Sequence, residues 1–425
     1  MAAARWLARA GAQVTVTDTA PPERLAPSLR ALSDVPIKDY VLGGHRDEDF
    51  LRTDLVVVNP AVRPGSAWVE MAQSAGAKTT SETELFLEAC RGRTVGVTGT
   101  NGKSTTAAMI AAILTAQGNR VWLGGNIGRS LLGEIDSIAP DDFVVIELSS
   151  FQLYWLGPGA PMPQTAAVTN FVANHLDWHT DRGHYRTAKQ RILTGQQPSD
   201  IAVFDPHAQG LADWQSAVRG QFVSPQTEEA MPLLVPGRHN RANAALAVAT
   251  ARNAGCCEEA ILEGLSTFRG LPDRLELLGT ARGRRFVNDS SATTPESTMA
   301  ALAALEGPLW LLAGGADKGA DLEPLAEQVT HKAAGALFYG MLGPRLADMV
   351  RAKTSRVFCE STSTLSEAFA LCMQHAPAGA TIVLSPGCSS HDQFDNYRHR
   401  GAAFAELVAA LPDYEADTPP RTSSH

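Results

Sequence analysis

The sequence predicts an α/β protein, in which short β-branched strands alternate with helices along most of the chain. Leu55–Val58 and residues 143–146 have the length and composition of buried strands, whereas residues 107–114 form an apolar helical run. A chain of 425 residues is also too long for one ordinary hydrophobic core. We therefore expect three α/β domains.

Residues 1–92 are predicted to form the first domain. The chain starts with a helical segment that ends at Gly11, and residues 13–17 alternate like a strand that ends at Asp18. A helix followed by a strand with a terminal acidic residue is typical of a Rossmann-like domain after its glycine turn. The first strand and the glycine turn of such a domain are missing here, so we expect a truncated Rossmann-like domain. A small α/β domain without a ligand is the alternative.

A phosphate-binding loop opens the second predicted domain, residues 93–270. Residues 96–105 read GVTGTNGKST and lie between a β-branched run and a helical run. At such a junction backbone N–H groups and the helix N-terminus face an anion, a lysine reaches the phosphates and a hydroxyl holds Mg²⁺. The strict pattern is not met, because Val97 stands where its first glycine belongs. The residues predicted to bind the nucleotide are Gly99, Thr100, Asn101, Gly102, Lys103, Ser104 and Thr105.

Polar residues at later strand and helix ends add to this central domain, a P-loop type of parallel sheet. Glu147 directly follows a predicted strand, where a carboxylate beside a phosphate loop could hold Mg²⁺; a merely solvated acid is the alternative. Histidines at 175, 179 and 184 precede Lys189, but their spacing is not that of a zinc motif, so the spacing alone favours loop histidines. Asn240 and Asn243 begin a long helix, where amides suit either a nucleotide base or a helix cap.

Residues 271–412 are predicted to form the third domain, a doubly wound Rossmann-like sheet. Strands predicted over residues 286–288, 309–313 and 382–384 each lead into a polar turn, namely NDSSATTP, GGADKGADL and SPGCSSHDQFDNYRHRG. Each of these strands alternates with a helix, so their carboxyl ends should meet at one rim. Residues 413–425 are rich in Pro, Ser and Thr and are predicted to form a disordered tail.

Composition and charge argue against several classes of partner. The formal net charge is −9 without a basic block, so we expect no binding to nucleic acid or to anionic membranes. Apolar runs are interrupted well before the roughly 18 residues that a membrane helix needs, and the N-terminal segment is too short for a signal peptide. The six cysteines show no paired spacing, which is typical of reduced thiols in the cytoplasm. We expect a monomer.

Together these motifs resemble the Mur ligase family. The resemblance runs over nearly the whole chain, is weakest before residue 90, and is carried by GTNGKST, ELSSFQL, NHLDWH, GRHNRANAAL, GLPDRLE, NDSSATTP, GGADKGADL and SPGCSSHDQFDNYRHRG. The last motif is similar to that of the D-glutamate-adding members. The resemblance implies an ATP-dependent ligase of cytoplasmic peptidoglycan precursor synthesis, which adds D-glutamate to UDP-N-acetylmuramoyl-L-alanine through an acyl phosphate.

The resemblance also implies roles for single residues. Catalysis would fall to Lys103, Glu147, His175 and Lys189. Two Mg²⁺ ions would be held by Ser104, Glu147, His175 and Lys189, the last as a carbamylated lysine. The rest of the nucleotide would meet Asn240, Asn243, Arg274 and Asp289. Asn126 would face the muramoyl substrate, and the D-glutamate pocket would contain Thr293, Lys318, Ser390 and Tyr397.

Two other interpretations stay open from the sequence. One is a nucleotide-binding protein of the same fold without catalytic activity, and the other is a sister ligase that adds a different amino acid. Ser291 stands where the family commonly has lysine, and His391 where an apolar residue is usual. Both positions lie in the turns predicted to hold the amino-acid substrate, so the identity of that substrate needs a direct test.

Overall fold

The computed structural model describes residues 1–127, 130–176, 178–226, 231–235, 237–317 and 319–417. The chain forms two compact units, of which the first comprises Met1–Pro232 and Arg241–Ser266, and the second Leu233–Asn240 and the chain from Thr267 onward. Both units are α/β structures built on parallel strands, as predicted. The first unit contains the residues of the first two predicted domains except 233–240 and 267–270, which belong to the second unit. The division into three domains stays a prediction.

The N-terminal part of the first unit contains two small parallel sheets, in which β1 pairs with β2 and β3 pairs with β4. The strands are β1 (Thr15–Asp18), β2 (Asp39–Leu42), β3 (Leu55–Val58) and β4 (Lys78–Ser81). The helices are α1 (Ala2–Arg9), α2 (Pro22–Ala31), α3 (Asp47–Leu51), α4 (Ala67–Ser74) and α5 (Glu82–Ala89). The predicted strand Leu55–Val58 is confirmed at both of its ends, and α1 stops just before Gly11.

A six-stranded parallel sheet forms the rest of the first unit, in the order β10-β9-β8-β5-β7-β6. Its strands are β5 (Arg93–Thr98), β6 (Val121–Gly125), β7 (Phe143–Glu147), β8 (Thr165–Val168), β9 (Ile201–Val203) and β10 (Gln221–Val223). The helices are α6 (Lys103–Ala116), α7 (Ser150–Tyr154), α8 (Arg182–Thr194), α9 (Arg238–Asn253) and α10 (Glu258–Ser266). After β5 the chain first forms β6 and β7 on one side of β5, and then β8, β9 and β10 on the other side. The carboxyl end of β5 is therefore the switch point at which such sheets bind ligands.

Packing around α6 fixes the position of that switch point. Met109, Ile110 and Ile113 of α6 are completely buried. On its outer side α10 approaches so closely that a Cβ on Gly264 would lie 2.6 Å from the Cα of Ile113. A helix held between a sheet and a second helix cannot shift without opening the core, because protein interiors are close-packed. The N-terminus of α6 is thus held rigidly at the end of β5.

The second unit is built on a seven-stranded sheet in the order β15-β14-β13-β16-β12-β11-β17. Its strands are β11 (Glu276–Ala281), β12 (Arg284–Asn288), β13 (Leu309–Gly314), β14 (Ala333–Tyr339), β15 (Phe358–Thr362), β16 (Thr381–Leu384) and β17 (Glu415–Ala416). Its helices are α11 (Pro295–Ala304), α12 (Glu323–Lys332), α13 (Gly343–Lys353), α14 (Leu365–His375) and α15 (Tyr397–Ala409). The five strands β15, β14, β13, β16 and β12 pair in parallel.

The three predicted strands of this unit are each followed by a helix, as expected, but the sequence analysis missed β11, the strand that precedes β12. β11 and β12 form an antiparallel hairpin. Its two central residues, Arg282 and Gly283, have φ of 50° and 71°. Left-handed conformations at both positions are those of a type I′ turn, whose twist matches that of the flanking strands. This turn could not be predicted from the sequence, because its first central residue is arginine, whereas Asn, Asp or Gly usually occupies that position.

The prediction of a disordered tail over residues 413–425 is wrong for residues 414–416. β17 pairs antiparallel with β11 through Gly279 and Thr280, and the hydroxyl of Tyr414 donates to the carbonyl oxygen of Leu278 at 2.8 Å. Composition alone could not reveal this, because the order comes from the exposed edge of β11, far away in the sequence. Residues 418–425 lie outside the described ranges.

Two further observations concern helix length and the cysteine side chains. No helix among the described residues is both long enough and apolar enough to cross a membrane. All six cysteines are free thiols, and four of them are buried. Burial raises the pKa of the Cys372 and Cys388 thiols to about 12, so these two sulfur atoms are poor nucleophiles.

Candidate active site

The loop between β5 and α6 has a backbone that only glycine permits at two positions. Gly99 has φ of 140°, and a Cβ there would lie 1.9 Å from the Oγ1 of Thr169. Gly102 caps α6 with φ of 81°, and a Cβ there would lie 2.4 Å from the Oδ1 of Asn243. The two glycines therefore let the chain turn sharply and bring the loop against its neighbours. The predicted strand, glycine turn and helix are confirmed.

Asn170, at the carboxyl end of β8, holds the tip of this loop. The backbone N–H of Thr100 donates to the carbonyl oxygen of Asn170, and that of Asn101 to its Oδ1, both at 3.0 Å. The Nζ of Lys103 folds back onto the carbonyl oxygen of Thr100 at 2.8 Å. The lysine thus lies over the concave side of the loop, where the phosphates of a nucleotide would bind. Sequence reasoning missed Asn170.

Glu147 connects two residues that the sequence singled out separately. The Oγ of Ser104 donates to its Oε2 at 2.5 Å, and the Nδ2 of Asn126 donates to its Oε1 at 2.7 Å. Only 2% of Glu147 is exposed, so this is not the solvated acid of the alternative interpretation. Asn126 was predicted to face the muramoyl substrate; in this structure it binds the carboxylate directly, and its backbone N–H also donates to the carbonyl oxygen of Glu147.

Lys189 is a buried amine on α8 that reaches the same loop. Only 2% of the residue is exposed, and its Nζ donates to the carbonyl oxygen of Gly99 at 2.6 Å. Burial and the nearby ammonium of Lys103 hold the pKa of Lys189 well below its ordinary value, while the carboxylate of Glu147 acts in the opposite direction. Within the described ranges no carboxylate forms an ion pair with it. Burial therefore shifts the equilibrium of this amine towards its neutral form.

His175 lies at the apex of an exposed turn. It has φ of 54°, in the left-handed region that a non-glycine residue rarely adopts. Its imidazole lies 4.9 Å from the ring of Phe151 and 6.4 Å from that of Tyr185, between ring centroids. Strained backbone of this kind is frequent at functional sites. The structure brings His175 into the aromatic surroundings of α7 and α8.

The other two histidines of this segment have structural contacts. His179 is 1% exposed; its Nδ1 lies 2.9 Å from the Nδ1 of His184, and its Nε2 lies 3.0 Å from the Oγ of Ser150. These bonds join the His175 turn to α7, which follows Glu147, and to α8, which carries Lys189. The spacing of the histidines predicted loop residues and gave no sign of this buried network.

The residues around Glu147 fit a hard metal ion in part. The described ranges contain no group of three or more His, Cys, Asp and Glu side chains arranged for a metal. The Oγ of Ser104 and the carboxylate of Glu147 are nevertheless adjacent oxygen ligands at a phosphate loop, and Mg²⁺ usually takes one or two protein oxygens together with phosphate and water. An unmodified lysine offers no oxygen, so Lys189 does not fit a metal as it stands.

Helix α9 contributes Asn243 to the loop. Asn243 is 6% exposed, and its side-chain amide lies directly against Gly102. Its predicted place is beside the nucleotide, and its amide indeed lies at the phosphate loop. Asn240 is 5% exposed and its backbone N–H donates to the carbonyl oxygen of Gly237. Thr105 is buried in the first turn of α6.

In the second unit Asp289 is the central ionisable group. Its Oδ1 accepts from the backbone N–H of Leu275 at 3.1 Å and its Oδ2 from the Oγ of Ser385 at 2.7 Å. Burial raises the pKa of Asp289 to about 7, although these hydrogen bonds and the Arg274 guanidinium act in the opposite direction. Arg274 itself is exposed, and it helps burial to lower the pKa of His239.

Three of the four residues predicted to form the amino-acid pocket follow β12 and β16. Ser390 is 3% exposed, whereas Thr293 and Tyr397 are half-buried. Lys318, the fourth predicted residue, lies outside the described residues. β12 and β16 pair in parallel, so the polar turns that follow them begin at the same edge of the sheet.

A buried arginine that sequence reasoning missed holds the two turns together. Arg400 is fully buried; its Nε donates to the Oγ of Ser290 at 3.0 Å and its Nη2 to the carbonyl oxygen of Ser290 at 3.0 Å. Its Nη1 donates to the carbonyl oxygen of Cys388 at 3.1 Å. The arginine thus links the turn after β12 to the turn after β16. An arginine in a polar motif gave no sign of this burial.

A glycine loop at the switch point of a parallel sheet, with a lysine, a hydroxyl and a buried carboxylate beside it, defines an α/β enzyme that binds a nucleoside triphosphate. Comparison with known proteins agrees with this class. Residues 97–224 match the Mur ligase middle domain, and residues 273–388 match the Mur ligase glutamate ligase domain. The chain belongs to the Mur ligase family, and it is an ATP-dependent amino-acid ligase.

Two proteins of similar sequence match this chain over nearly their full length. The UDP-N-acetylmuramoylalanine–D-glutamate ligase of Roseiflexus sp. (strain RS-1) is 35% identical over 444 residues, which cover 96% of this chain and 95% of that protein. The protein of the same name from Chromohalobacter salexigens is 35% identical over 440 residues, covering 96% and 94% of the two chains.

Solved structures of lower identity share the fold. A crystal structure of MurF from Acinetobacter baumannii has a TM-score of 0.61 at 18% identity, and covers 83% of this chain and 90% of that one. Escherichia coli FolC in complex with DHPP and ADP has a TM-score of 0.57 at 18% identity, covering 77% and 91%. At such identities the likeness concerns the fold alone.

Proposed function

We propose that this protein joins D-glutamate to UDP-N-acetylmuramoyl-L-alanine with ATP as the energy source, in cytoplasmic synthesis of a peptidoglycan precursor. The observation that carries the chemistry is the Ser104–Glu147 contact directly beside the phosphate loop. The choice of substrates is supported by relatives named for this activity, which match over almost the whole chain.

The reaction has two steps, phosphorylation of the carboxylate and then formation of the peptide bond. An oxygen of the terminal alanine carboxylate attacks the γ-phosphorus of ATP, the bond from that phosphorus to the bridging β,γ-oxygen breaks, and ADP leaves an acyl phosphate behind. The neutral amine of D-glutamate then attacks the acyl carbon. The new C–N bond forms as the C–O bond breaks, phosphate leaves and the amine gives up a proton. Both steps move negative charge between oxygens.

The chain's own groups stabilise that charge. The N–H groups at the start of α6 and the Lys103 ammonium would face the phosphates. The backbone of the loop is already held in place by β5, α6 and Asn170. Ser104 and Glu147 would hold Mg²⁺, which supplies a compact positive charge against the phosphate oxygens when it is bound. Exclusion of water would protect the acyl phosphate from hydrolysis.

Lys189 is proposed to carry a carbamate. Burial lowers the pKa of its amine, and in the neutral form the nitrogen can attack the carbon of CO₂ with loss of one proton. The product carries a carboxylate in place of the amine, and its negative charge would be attracted by the nearby ammonium of Lys103. It would also supply the oxygens that an unmodified lysine lacks, so that the modified side chain and His175 could hold a second Mg²⁺.

The amino-acid substrate is proposed to bind in the second unit. Thr293, Ser390 and Tyr397 offer hydroxyls, and Lys318 a cation, for the two carboxylates of D-glutamate. Arg274 and Asp289 are proposed to contact the nucleotide. The three-domain division, with residues 1–92 binding the UDP substrate, belongs to the same proposal.

Phosphate release with UDP-N-acetylmuramoyl-L-alanine, ATP and a panel of amino acids tests this proposal. We expect release with D-glutamate and none with L-glutamate or L-lysine. Full activity with L-lysine or L-glutamate and none with D-glutamate would identify a sister ligase instead. ATP binding without release for any amino acid would indicate a non-catalytic protein.

A further inference from the structure

Two indole groups hold the loop that follows β3. This segment, residues 59–66, is called the β3–α4 loop. The Nε1 of Trp155 donates to the carbonyl oxygen of Val62 at 2.9 Å, and the Nε1 of Trp178 donates to that of Ala61 at 3.2 Å. Successive carbonyls are thus bound by side chains that lie 93 and 117 residues further along the chain. Contacts of such separation fix one part of the first unit against another.

Trp178 belongs to the same turn as His175. The backbone N–H groups of Trp178 and His179 both donate to the carbonyl oxygen of His175, at 3.1 and 2.8 Å. The turn therefore closes on the left-handed residue itself. A strained residue keeps its conformation only where the surroundings hold it, so the anchors on either side of His175 determine where its imidazole lies.

The two anchors of this turn point to different parts of the molecule. His179 fastens it to Ser150 and His184, as described above. Trp178 is 8% exposed and packs between Phe151 and Tyr154, at 4.6 and 5.3 Å between ring centroids, while its N–H reaches outward to the β3–α4 loop. The indole is thus a direct contact between that loop and the His175 turn.

We propose that Trp178 is a positioning residue that ties the β3–α4 loop to the His175 turn, and thereby sets the UDP substrate against the phosphate-activating residues. The inference rests on the proposed function. The loop lies at the carboxyl end of β3, where α/β sheets of this type bind their ligands. A substrate held there has its reactive end aligned only if the loop cannot drift away from His175.

Trp178→Phe tests this with a matched control. Phenylalanine keeps a packed ring but removes the donor. Trp122→Phe removes an indole hydrogen bond of the same kind, from Nε1 to the Oδ2 of Asp142 at 2.8 Å, away from the candidate site. We expect kcat/KM for UDP-N-acetylmuramoyl-L-alanine to fall about tenfold in Trp178→Phe, as for the loss of one hydrogen bond. The KM values for ATP and D-glutamate should stay within about twofold, and Trp122→Phe should match the wild type.

Amide hydrogen exchange provides a readout that does not depend on activity. Without substrates, the non-proline amides of the β3–α4 loop should exchange faster in Trp178→Phe and in Trp155→Phe than in wild type or Trp122→Phe. Equal exchange in all four proteins would overturn the proposal. So would a uniform loss of kcat/KM for all three substrates, which indicates general damage. If wild type lacks ligase activity, the proposed function fails, yet the exchange experiment still decides whether the indoles hold the loop.

Discussion

The Oγ of Ser104 and the Oε2 of Glu147 lie 2.5 Å apart, although 43 residues separate them in sequence. Ser104 lies in the first turn of the helix that follows the phosphate loop, and Glu147 ends the neighbouring strand β7. Parallel pairing of β5 with β7 brings their carboxyl ends to one rim, so the two oxygens meet where a nucleotide's phosphates would lie. The contact turns a phosphate loop into a place where a metal ion and a nucleotide can be held together.

Glu147→Gln should remove the charge and keep the shape. We expect kcat to fall by about 10²-fold or more, because a preorganised charge beside the phosphates is lost, while the melting temperature changes little. Steady-state phosphate release at several Mg²⁺ concentrations measures the effect. Asn126→Ala, which removes only the amide donor to the same carboxylate, is the control, and we expect a much smaller loss. Full activity of Glu147→Gln would show that the carboxylate holds no metal.

Lys189→Ala should be nearly inactive and should recover partly with a short carboxylate such as acetate, because acetate can replace the carbamate oxygens. Lys103→Ala serves as the control. It should be inactive as well, but acetate should not restore it, since its role requires a positive charge. The measurement is phosphate release with and without added acetate. Unchanged activity of Lys189→Ala, or equal rescue of both variants, would contradict the carbamate.

Gly102→Ala should impair both folding and nucleotide use. The new methyl group would meet the Oδ1 of Asn243 at 2.4 Å, on a backbone with φ of 81°. Gly118→Ala is a matched control, because Gly118 has φ of 88° with no atom within 4 Å of its ideal Cβ. Both variants should lose about 1 kcal/mol of stability from backbone strain. Only Gly102→Ala should lose kcat/KM for ATP, by about tenfold or more. Equal kinetics in the two would mean that the loop tolerates the contact.

The pKa of Asp289 predicts an unusual dependence of stability on pH. The ordinary aspartate value is 3.8 and the folded value is about 7, so between these pH values the folded protein binds a proton that the unfolded chain has released. The contribution of Asp289 to the free energy of unfolding therefore falls as pH rises from about 4 to 7 and is constant above. Its full size is on the order of 4 kcal/mol.

Urea unfolding of wild type and Asp289→Asn across this range measures that contribution. Asparagine cannot titrate, and Ser385 can then donate to the Oγ1 of Thr298, which lies 3.1 Å away. We expect wild type to lose stability relative to Asp289→Asn as pH rises to 7, with no further change up to pH 9. A difference that is independent of pH would show that Asp289 is ionised throughout.

The parts of the site that could be predicted from sequence are those in which local geometry and chemistry coincide. Gly99, Gly102 and Lys103 lie in one loop. The strand before this loop and the helix after it can be predicted from the spacing of their hydrophobic residues. The position of Glu147 could be predicted for the same reason, because a carboxylate at the end of a buried strand lies on the ligand-binding rim of the sheet. Resemblance to a family was needed to connect His175 and Lys189 with these residues.

The parts that could not be predicted depend on distant partners. Trp178 looks like an ordinary core aromatic, and its acceptor lies 117 residues earlier in the chain. Arg400 stands in a polar motif, and only the folded sheet shows that its guanidinium is buried between two turns. The β11–β12 hairpin was missed because Arg282 takes a turn position where glycine or asparagine is the usual signal.

The short strand near the end of the described chain has a consequence for how protein molecules meet in solution. Without β17, the outer edge of β11 would offer unpaired N–H and C=O groups to a strand from another molecule. β17 covers part of that edge, and its own two exposed residues are too few to template a new neighbour. Shortening the chain at residue 412 on the basis of composition would remove this cover and invite self-association.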